Sequence, residues 1–295
     1  MRLKTLLMKV KNRLKKRQNE DRVSKTRPQE NIQEKEETHI EWIFFMKDFL
    51  EKNNHIISNG LDERVVERRN GRKYSMSEHL KGLIGALLTN QRPWVGIQPH
   101  LAKIDIIFYD YDVEKVKSTP GAYFTRELRA IKCGNRNIKS QMNNLSANIS
   151  MMEKIEEEFG SMDEFVTSAP ATEIVKMMSD YNSEYKFKNI GVALAWEYLK
   201  NIGIDGAKAD VHLYRFFGGD RMGNKNRIPA TAQEVYDTVS ALSKKSGLSM
   251  GMIDSLVWHY CADGFGMICA AVPQCNRCVI ESYCKKGLIK QVSHV

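Results

Sequence analysis

Apolar positions recur every three or four residues along most of this chain and alternate almost nowhere. That period marks helices with one buried face, whereas strands would alternate. Ile40, Ile43, Phe44, Phe45, Phe49 and Leu50 make the first such stripe, so order is expected to begin near His39. Ahead of the next stripe, Ser75 and Glu78 stand at capping-box spacing, where hydroxyl and carboxylate satisfy the N–H groups of a helix start. Leu80, Leu83, Ile84, Leu87 and Leu88 then line one face, and Arg92-Pro93 ends the run. Between the two stripes, Asn59 to Tyr74 is Gly-punctuated and charged, and it reads as a loop or small hairpin. Further short helices are predicted over 97–108, 112–118, 122–132, 136–159, 162–168, 171–178 and 190–200. Others follow over 211–217, 231–246, 249–261 and 279–286. No 34-to-45-residue repeat links them, which excludes a helical solenoid. The fold class expected is all-α.

Composition narrows this picture only a little. A chain of 295 residues can build one large or two modest domains. No apolar run approaches the roughly 18–20 residues of a membrane span, so no membrane partner is expected. The net charge is +9, with twelve Lys or Arg against six Asp or Glu in residues 1–38, so the body carries only about +3. Such a balance suits polyanionic partners without choosing among them. Residues 18–38 hold almost no large apolar side chain and cannot bury enough surface to order themselves. Residues 1–38 are therefore expected to form a basic, disordered tail.

The densest chemistry lies near the C-terminus. Cys269, Cys275, Cys278 and Cys284 are separated by five, two and five residues. A structural zinc site usually takes two Cys pairs separated by a longer loop. One Cys-x-x-Cys flanked by single cysteines better suits a 4Fe–4S cubane held by one short segment, with zinc as the alternative. The outlying Cys133 and Cys261 read as buried thiols, because six cysteines distributed this way make no secreted disulfide framework.

Two further patterns need weighing. Phe187-Lys188-Asn189-Ile190-Gly191 leads into a helix, so unpaired N–H groups at that helix start can meet an anion such as a DNA phosphate. An ordinary Gly-containing turn between packed helices gives the same letters. Leu199 to Gly203 repeats the pattern twelve residues later, which leaves two registers open. Asp210, in Asp-Val-His-Leu-Tyr-Arg, stands where a helix begins after Gly203 and Gly206. By itself it is an N-cap worth about 1 kcal/mol, although a helix start also keeps a carboxylate ionised and aimed.

Taken together, these pieces resemble the endonuclease III superfamily of helix-hairpin-helix DNA glycosylases. In that family a Leu-Pro-Gly-Val-Gly hairpin precedes the catalytic Asp by about twenty residues, and a four-cysteine iron–sulfur loop closes the chain. Here Gly191 and Asp210 are nineteen residues apart, which selects the first register. Leu88-Thr89-Asn90-Gln91 is similar to the Leu-Ser-Ala-Gln segment whose Gln enters the space left by the extruded base. Gly134-Asn135-Arg136-Asn137-Ile138-Lys139 is similar to the family's Gly-Tyr-Asn-x-Lys-Ala stretch. The resemblance covers about residues 39–290. It implies a six-helix barrel domain over 75–204 containing the hairpin, and an iron–sulfur cluster domain built from 39–74 and 205–295.

The resemblance also assigns roles. Asp210 would be the catalytic carboxylate, and Gln91, Lys188, Asn189, Ile190 and Gly191 would contact DNA. Cys269, Cys275, Cys278 and Cys284 would hold the cluster. Two departures qualify this. The family's first cysteine gap is six residues, and here it is five. Bifunctional members carry a Schiff-base Lys two residues after the last hairpin Gly, where this chain has Ala193. The expected activity is therefore monofunctional base-excision repair: flipping a damaged or mispaired base from double-stranded DNA and hydrolysing its N-glycosidic bond. A lyase using another Lys and a non-catalytic DNA-binding relative are the alternatives. Trp94, residues 134–146 and Tyr185 are expected around the base pocket. The chain is expected to be a monomer in the cytoplasm or nucleoid, or in the nucleus or mitochondria of a eukaryote, with a tail that adds non-specific DNA affinity.

Overall fold

The computed structural model describes residues 40–55, 61–92 and 96–287, so the basic tail and Trp94 lie outside the described residues. Every regular element among the described residues is helical. The order is α1 (Glu41–Lys52), α2 (Leu61–Arg69), α3 (Met76–Leu88), α4 (Leu101–Ile107), α5 (Val113–Ser118), α6 (Gly121–Ala130) and α7 (Ile138–Asn143). There follow α8 (Leu145–Phe159), α9 (Met162–Thr167), α10 (Ala171–Ser179), α11 (Val192–Asn201), α12 (Val211–Phe216), α13 (Ala232–Ser246) and α14 (Met250–Cys261).

Two apolar cores organise these helices. The first gathers Tyr74 to Ile202 around the stripe of α3, with Leu80, Leu83, Ile84, Leu87 and Leu88 all buried. The second joins Trp42, Ile43, Met46 and Leu50 of α1 to α12, α13 and α14 and to the cysteine segment. Tyr236 of α13 touches both, stacking on Trp196 of α11 at 5.5 Å. One capping box opens a helix on each side. Ser75 and Glu78 cap α3, and Thr231 and Glu234 cap α13. Each such cap contributes about 1 kcal/mol by satisfying N–H groups that the helix cannot.

Four sequence expectations need correction. The stretch expected as a loop over 59–74 contains α2, although Val65 is the residue whose apolar side chain that helix buries. It is ordered from outside, because Arg68 donates to both Asp163 carboxylate oxygens, at 3.2 and 2.8 Å, and to the Ile202 carbonyl at 2.8 Å. The helix expected over 136–159 is broken at Asn144, whose amide donates to the Ser140 carbonyl at 2.9 Å and competes with the backbone ladder. The α3 helix stops at Leu88, short of Arg92, and Gln91 is left-handed with φ 52°. Finally, 279–286 is not one helix: a 3₁₀ turn at Glu281–Tyr283 stops at Cys284 and helix begins at Lys285, because this backbone serves the cysteine sulfurs. Amides of Ile280 donate to Cys278, and those of Lys286 and Gly287 donate to Cys284. The buried, unpaired states expected for Cys133 and Cys261 are as observed.

Candidate functional site

The hairpin is fastened by polar contacts more than by its glycine. Phe187 and Ile190 are buried, and the Phe187 amide donates to the Met178 carbonyl at 3.1 Å. The left-handed residue is Asn189, with φ 61°, two residues before the glycine that marks the hairpin in the sequence. Asn is among the residues that tolerate this region. Its side chain accepts from Asn144 at 2.9 Å and donates to Ser140 Oγ at 3.1 Å. Asn148, itself buried, donates to the Lys188 carbonyl at 3.1 Å and accepts from the Lys188 amide at 2.7 Å. Ser140, Asn144 and Asn148 thus form a ladder along one face of α7 and α8. Gly191 is extended (φ −101°, ψ 179°), and nothing lies within 4 Å of where a Cβ would stand. It caps α11 without a side-chain acceptor, so the N–H groups of the first turn receive no cap from it. Lys188 and Asn189 are exposed beside it, whereas Ile190 points into the core and can act there only as an anchor.

Beyond α11 the chain runs back along that helix. Gly203, left-handed with φ 75°, closes α11, and its position leaves no room for a Cβ against the Arg64 carbonyl at 2.5 Å. This second hairpin register is therefore a buried helix-ending turn. Ile204 donates to the Leu199 carbonyl at 2.9 Å, and Gly206 lies so close to the Trp196 ring that a Cβ would stand 2.3 Å from it. The Lys208 amine pairs with Glu197 at 3.4 Å. Glu197 is one helical turn beyond Ala193, which is partly exposed and brings no amine. Burial works against the Glu197 charge, but Lys208 and Lys200 outweigh it and lower its carboxyl.

Asp210 ends this return. Its backbone is extended, and its Oδ1 accepts from the His212 amide at 2.8 Å and the Leu213 amide at 3.2 Å. The second carboxylate oxygen takes no part in the cap. An aspartate held through one oxygen by two amides at a helix start has an aimed carboxylate. His212 is half-buried beside it, and burial lowers its imidazole despite the opposing Asp210 charge.

The two other predicted segments also meet. Arg92 donates to the Gly134 carbonyl at 2.8 Å and to the Lys132 carbonyl, and Asn135 donates to the Leu87 carbonyl at 2.8 Å. The Gly134–Lys139 stretch is thereby tied to the end of α3, leaving Gln91 exposed at the rim. Tyr185 does not belong to a pocket wall. It is buried in the first core with its hydroxyl on Glu158 at 2.7 Å.

All four clustered cysteines line one recess, together with Arg221 and Lys286. Among the described residues no three His, Cys, Asp or Glu side chains converge closely enough to hold a single ion. The donors around the sulfurs are plentiful. Buried Arg221 donates to Cys269 Sγ and to the Cys269 carbonyl, both at 3.0 Å, and Tyr260 donates to Cys278 Sγ at 3.4 Å. Arg215 Nε is buried without a hydrogen-bond partner. Cys269 is lowered to about 6, first by a hydrogen bond from Cys261 and then by Arg221, against the effect of burial. This favours anionic sulfur at Cys269, whereas burial raises Cys278 and Cys284 despite their backbone N–H donors.

Sequence reasoning missed the Ser140–Asn144–Asn148 ladder, Arg221, and the buried pair of Lys200 and Asp254. The ladder alone left a signal, short polar side chains at i, i+4 and i+8 that share one helical face.

No protein-family model and no curated protein matches this sequence. Solved structures do. The Methanocaldococcus jannaschii 8-oxoguanine glycosylase/lyase, crystallised with a 15mer DNA containing 8-oxoguanine, is similar at a TM-score of 0.50 and 17% identity. The match covers 75% of this chain and 95% of that one. The 8-oxoguanine DNA glycosylase of Thermotoga maritima is similar at 0.51 and 18% identity, covering 77% of this chain and 98% of that one. The chain therefore has the helical fold of these glycosylases.

Proposed function

We propose that this protein is a base-excision DNA glycosylase that flips a damaged or mispaired base and hydrolyses its N-glycosidic bond. The observation that carries this is Asp210. In a fold shared with two DNA glycosylases, a carboxylate is aimed by two amides, nineteen residues beyond a hairpin whose helix start is open to an anion. The hairpin amides and Lys188 would grip a phosphate without reading sequence. Gln91, exposed on a left-handed turn, would fill the gap left by the flipped nucleotide, at a cost of a few kcal/mol for flipping. Asp210 would then stabilise the developing positive charge on the sugar and activate a water. The absence of an amine at Ala193 favours hydrolysis over Schiff-base chemistry. Because both structural neighbours act on 8-oxoguanine, that lesion heads the substrates to be tested.

We also propose that Cys269, Cys275, Cys278 and Cys284 hold a 4Fe–4S cluster, with zinc as the alternative. Support comes from four thiols around one recess, with a buried guanidinium on one sulfur. When bound, the cluster would supply structure to the basic segment that carries it, and base excision would proceed without it as a reactant.

Excision assays across a panel of lesion duplexes, with alkali to reveal abasic sites, test the activity. Asp210→Asn is expected to lose at least about a thousandfold in excision rate while keeping DNA affinity. Full activity in that variant removes Asp210 from the mechanism. Borohydride trapping on abasic DNA is expected to give no covalent adduct, and an adduct would favour a lyase that uses another Lys.

A further inference from the structure

Lys200, on the last turn of α11, and Asp254, in the first half of α14, are only 9% and 3% exposed. Their Nζ and Oδ2 atoms are 2.6 Å apart. The same Oδ2 accepts the Lys208 backbone N–H at 2.9 Å. One carboxylate oxygen therefore joins the end of the hairpin helix, the helix that leads to the cysteine segment, and the strap that delivers Asp210 two residues later. A second stitch lies nearby, where Asp205 Oδ1 accepts the Gly251 amide at 3.1 Å. Burial raises the Asp254 carboxyl above its ordinary range and opposes the Lys200 charge. Two N–H donors within 3 Å of the oxygen oppose that rise, and Asp254 with Glu197 keeps the Lys200 amine above the ordinary lysine range.

Stability gives no reason for this arrangement. Burying an ion pair costs several kcal/mol per ion, and well-packed apolar residues in its place are often as stable or more so. What apolar residues cannot supply is an acceptor for the Lys208 amide. Residues 204–210 form no regular element, so that amide has no ladder partner.

We infer that Asp254 is a positioning residue for Asp210, acting through the Lys208 backbone, with Lys200 present to neutralise it. The inference rests on the glycosylase reading above. With no amine at Ala193, the water has no covalent substitute, and the aim of Asp210 decides the rate.

Two double variants separate the tether from the charge pair. Lys200→Met with Asp254→Leu removes the pair without leaving a lone charge, and it removes the acceptor. Lys200→Met with Asp254→Asn keeps an amide oxygen for the Lys208 N–H. The first is expected to fold, to bind lesion DNA as the parent does, and to lose about tenfold to a hundredfold in single-turnover excision. The second is expected to recover most of that loss. Amide hydrogen exchange at Lys208, His212 and Leu213 should quicken in the Leu variant and return towards the parent in the Asn variant. Parental exchange or a parental excision rate in the Leu variant overturns the inference, as does an Asn variant no better than the Leu variant. If the Leu variant does not fold, Asp254→Asn alone replaces it, and loss of excision there with parental exchange at Lys208 also overturns the inference. A parent protein that excises no lesion sinks the glycosylase reading alone, and hydrogen exchange then still decides whether Asp254 holds the Asp210 strap.

Discussion

An arginine stands against each of the two cores, half-buried Arg68 and buried Arg221, and the two are neutralised in different ways. Arg68, beside the first core, meets a carboxylate, both oxygens of Asp163. Asp163 also accepts the Tyr74 amide at 3.1 Å and lies 3.4 Å from His79, whose other ring nitrogen is 2.6 Å from the Tyr198 hydroxyl. That network closes on itself within the polypeptide. Arg221, beside the second core, donates to a thiol and to the carbonyls of Cys269, Ala270 and Ala271, and among the described residues no carboxylate pairs with it. A buried cation needs a counter-charge. In the first region the chain provides it. In the second, the sulfur that Arg221 touches, Cys269, is lowered towards thiolate. The first region reads as self-sufficient scaffold; on the cluster proposal above, the second would depend on what its cysteines bind.

The largest expected effect would break this contrast outright. Purified anaerobically, the protein should carry about four irons per chain. Cys275→Ser or iron chelation should then unfold the second region while the first keeps its helices. Thermal unfolding followed by near-UV circular dichroism, with an iron assay alongside, checks this. A metal-free protein with a single unchanged transition would show that Arg221 needs no cluster. One zinc per chain would keep the contrast and change the metal.

Next in size is the first region's own pair. Asp163→Ala leaves Arg68 and His79 without their carboxylate and should cost about 3–5 kcal/mol in urea unfolding, whether or not the cysteines are loaded. If the loss depended on metal content, the two regions would not be separable as described.

The smallest effect is a pH dependence confined to the first region. His79 is fully buried, and burial lowers its imidazole to about 4 although Asp163 opposes this. A base depressed on folding contributes stability that is present above its unfolded pKa and lost as pH falls. Here the window runs from about 6.5 down to about 4, and up to about 3 kcal/mol is at stake. His79→Gln should flatten the fall in stability over that window. An unchanged slope would assign the acid sensitivity elsewhere.

Much of the fold was legible because the signals are local. The α3 stripe and its Ser75–Glu78 box read directly, since both ends of each interaction lie within one helix. Asp210 read as a helix cap for the same reason, and the four cysteines read as one group because they share one segment. The helix over Leu61–Arg69 did not read. Its ordering partner, Asp163, lies ninety-five residues from Arg68, and its own stripe is almost empty. The left-handed Asn189 was hidden behind Gly191, because the glycine is the usual marker and the amide contacts that hold the asparagine come from Ser140 and Asn144.

The sequence alone determined which stretches would be helical, where several of them start, and that a carboxylate follows a hairpin at a set distance. These are matters of periodicity, capping and spacing, with ranges of a few residues. Tertiary structure alone decided how Asp210 is reached and what faces the cysteines. Asp254 accepts from Lys208 across forty-six residues, and Arg221 reaches Cys269 across forty-eight. The physical reason is desolvation. A buried charge takes whichever partner the packed chain places beside it, and no local pattern records that choice.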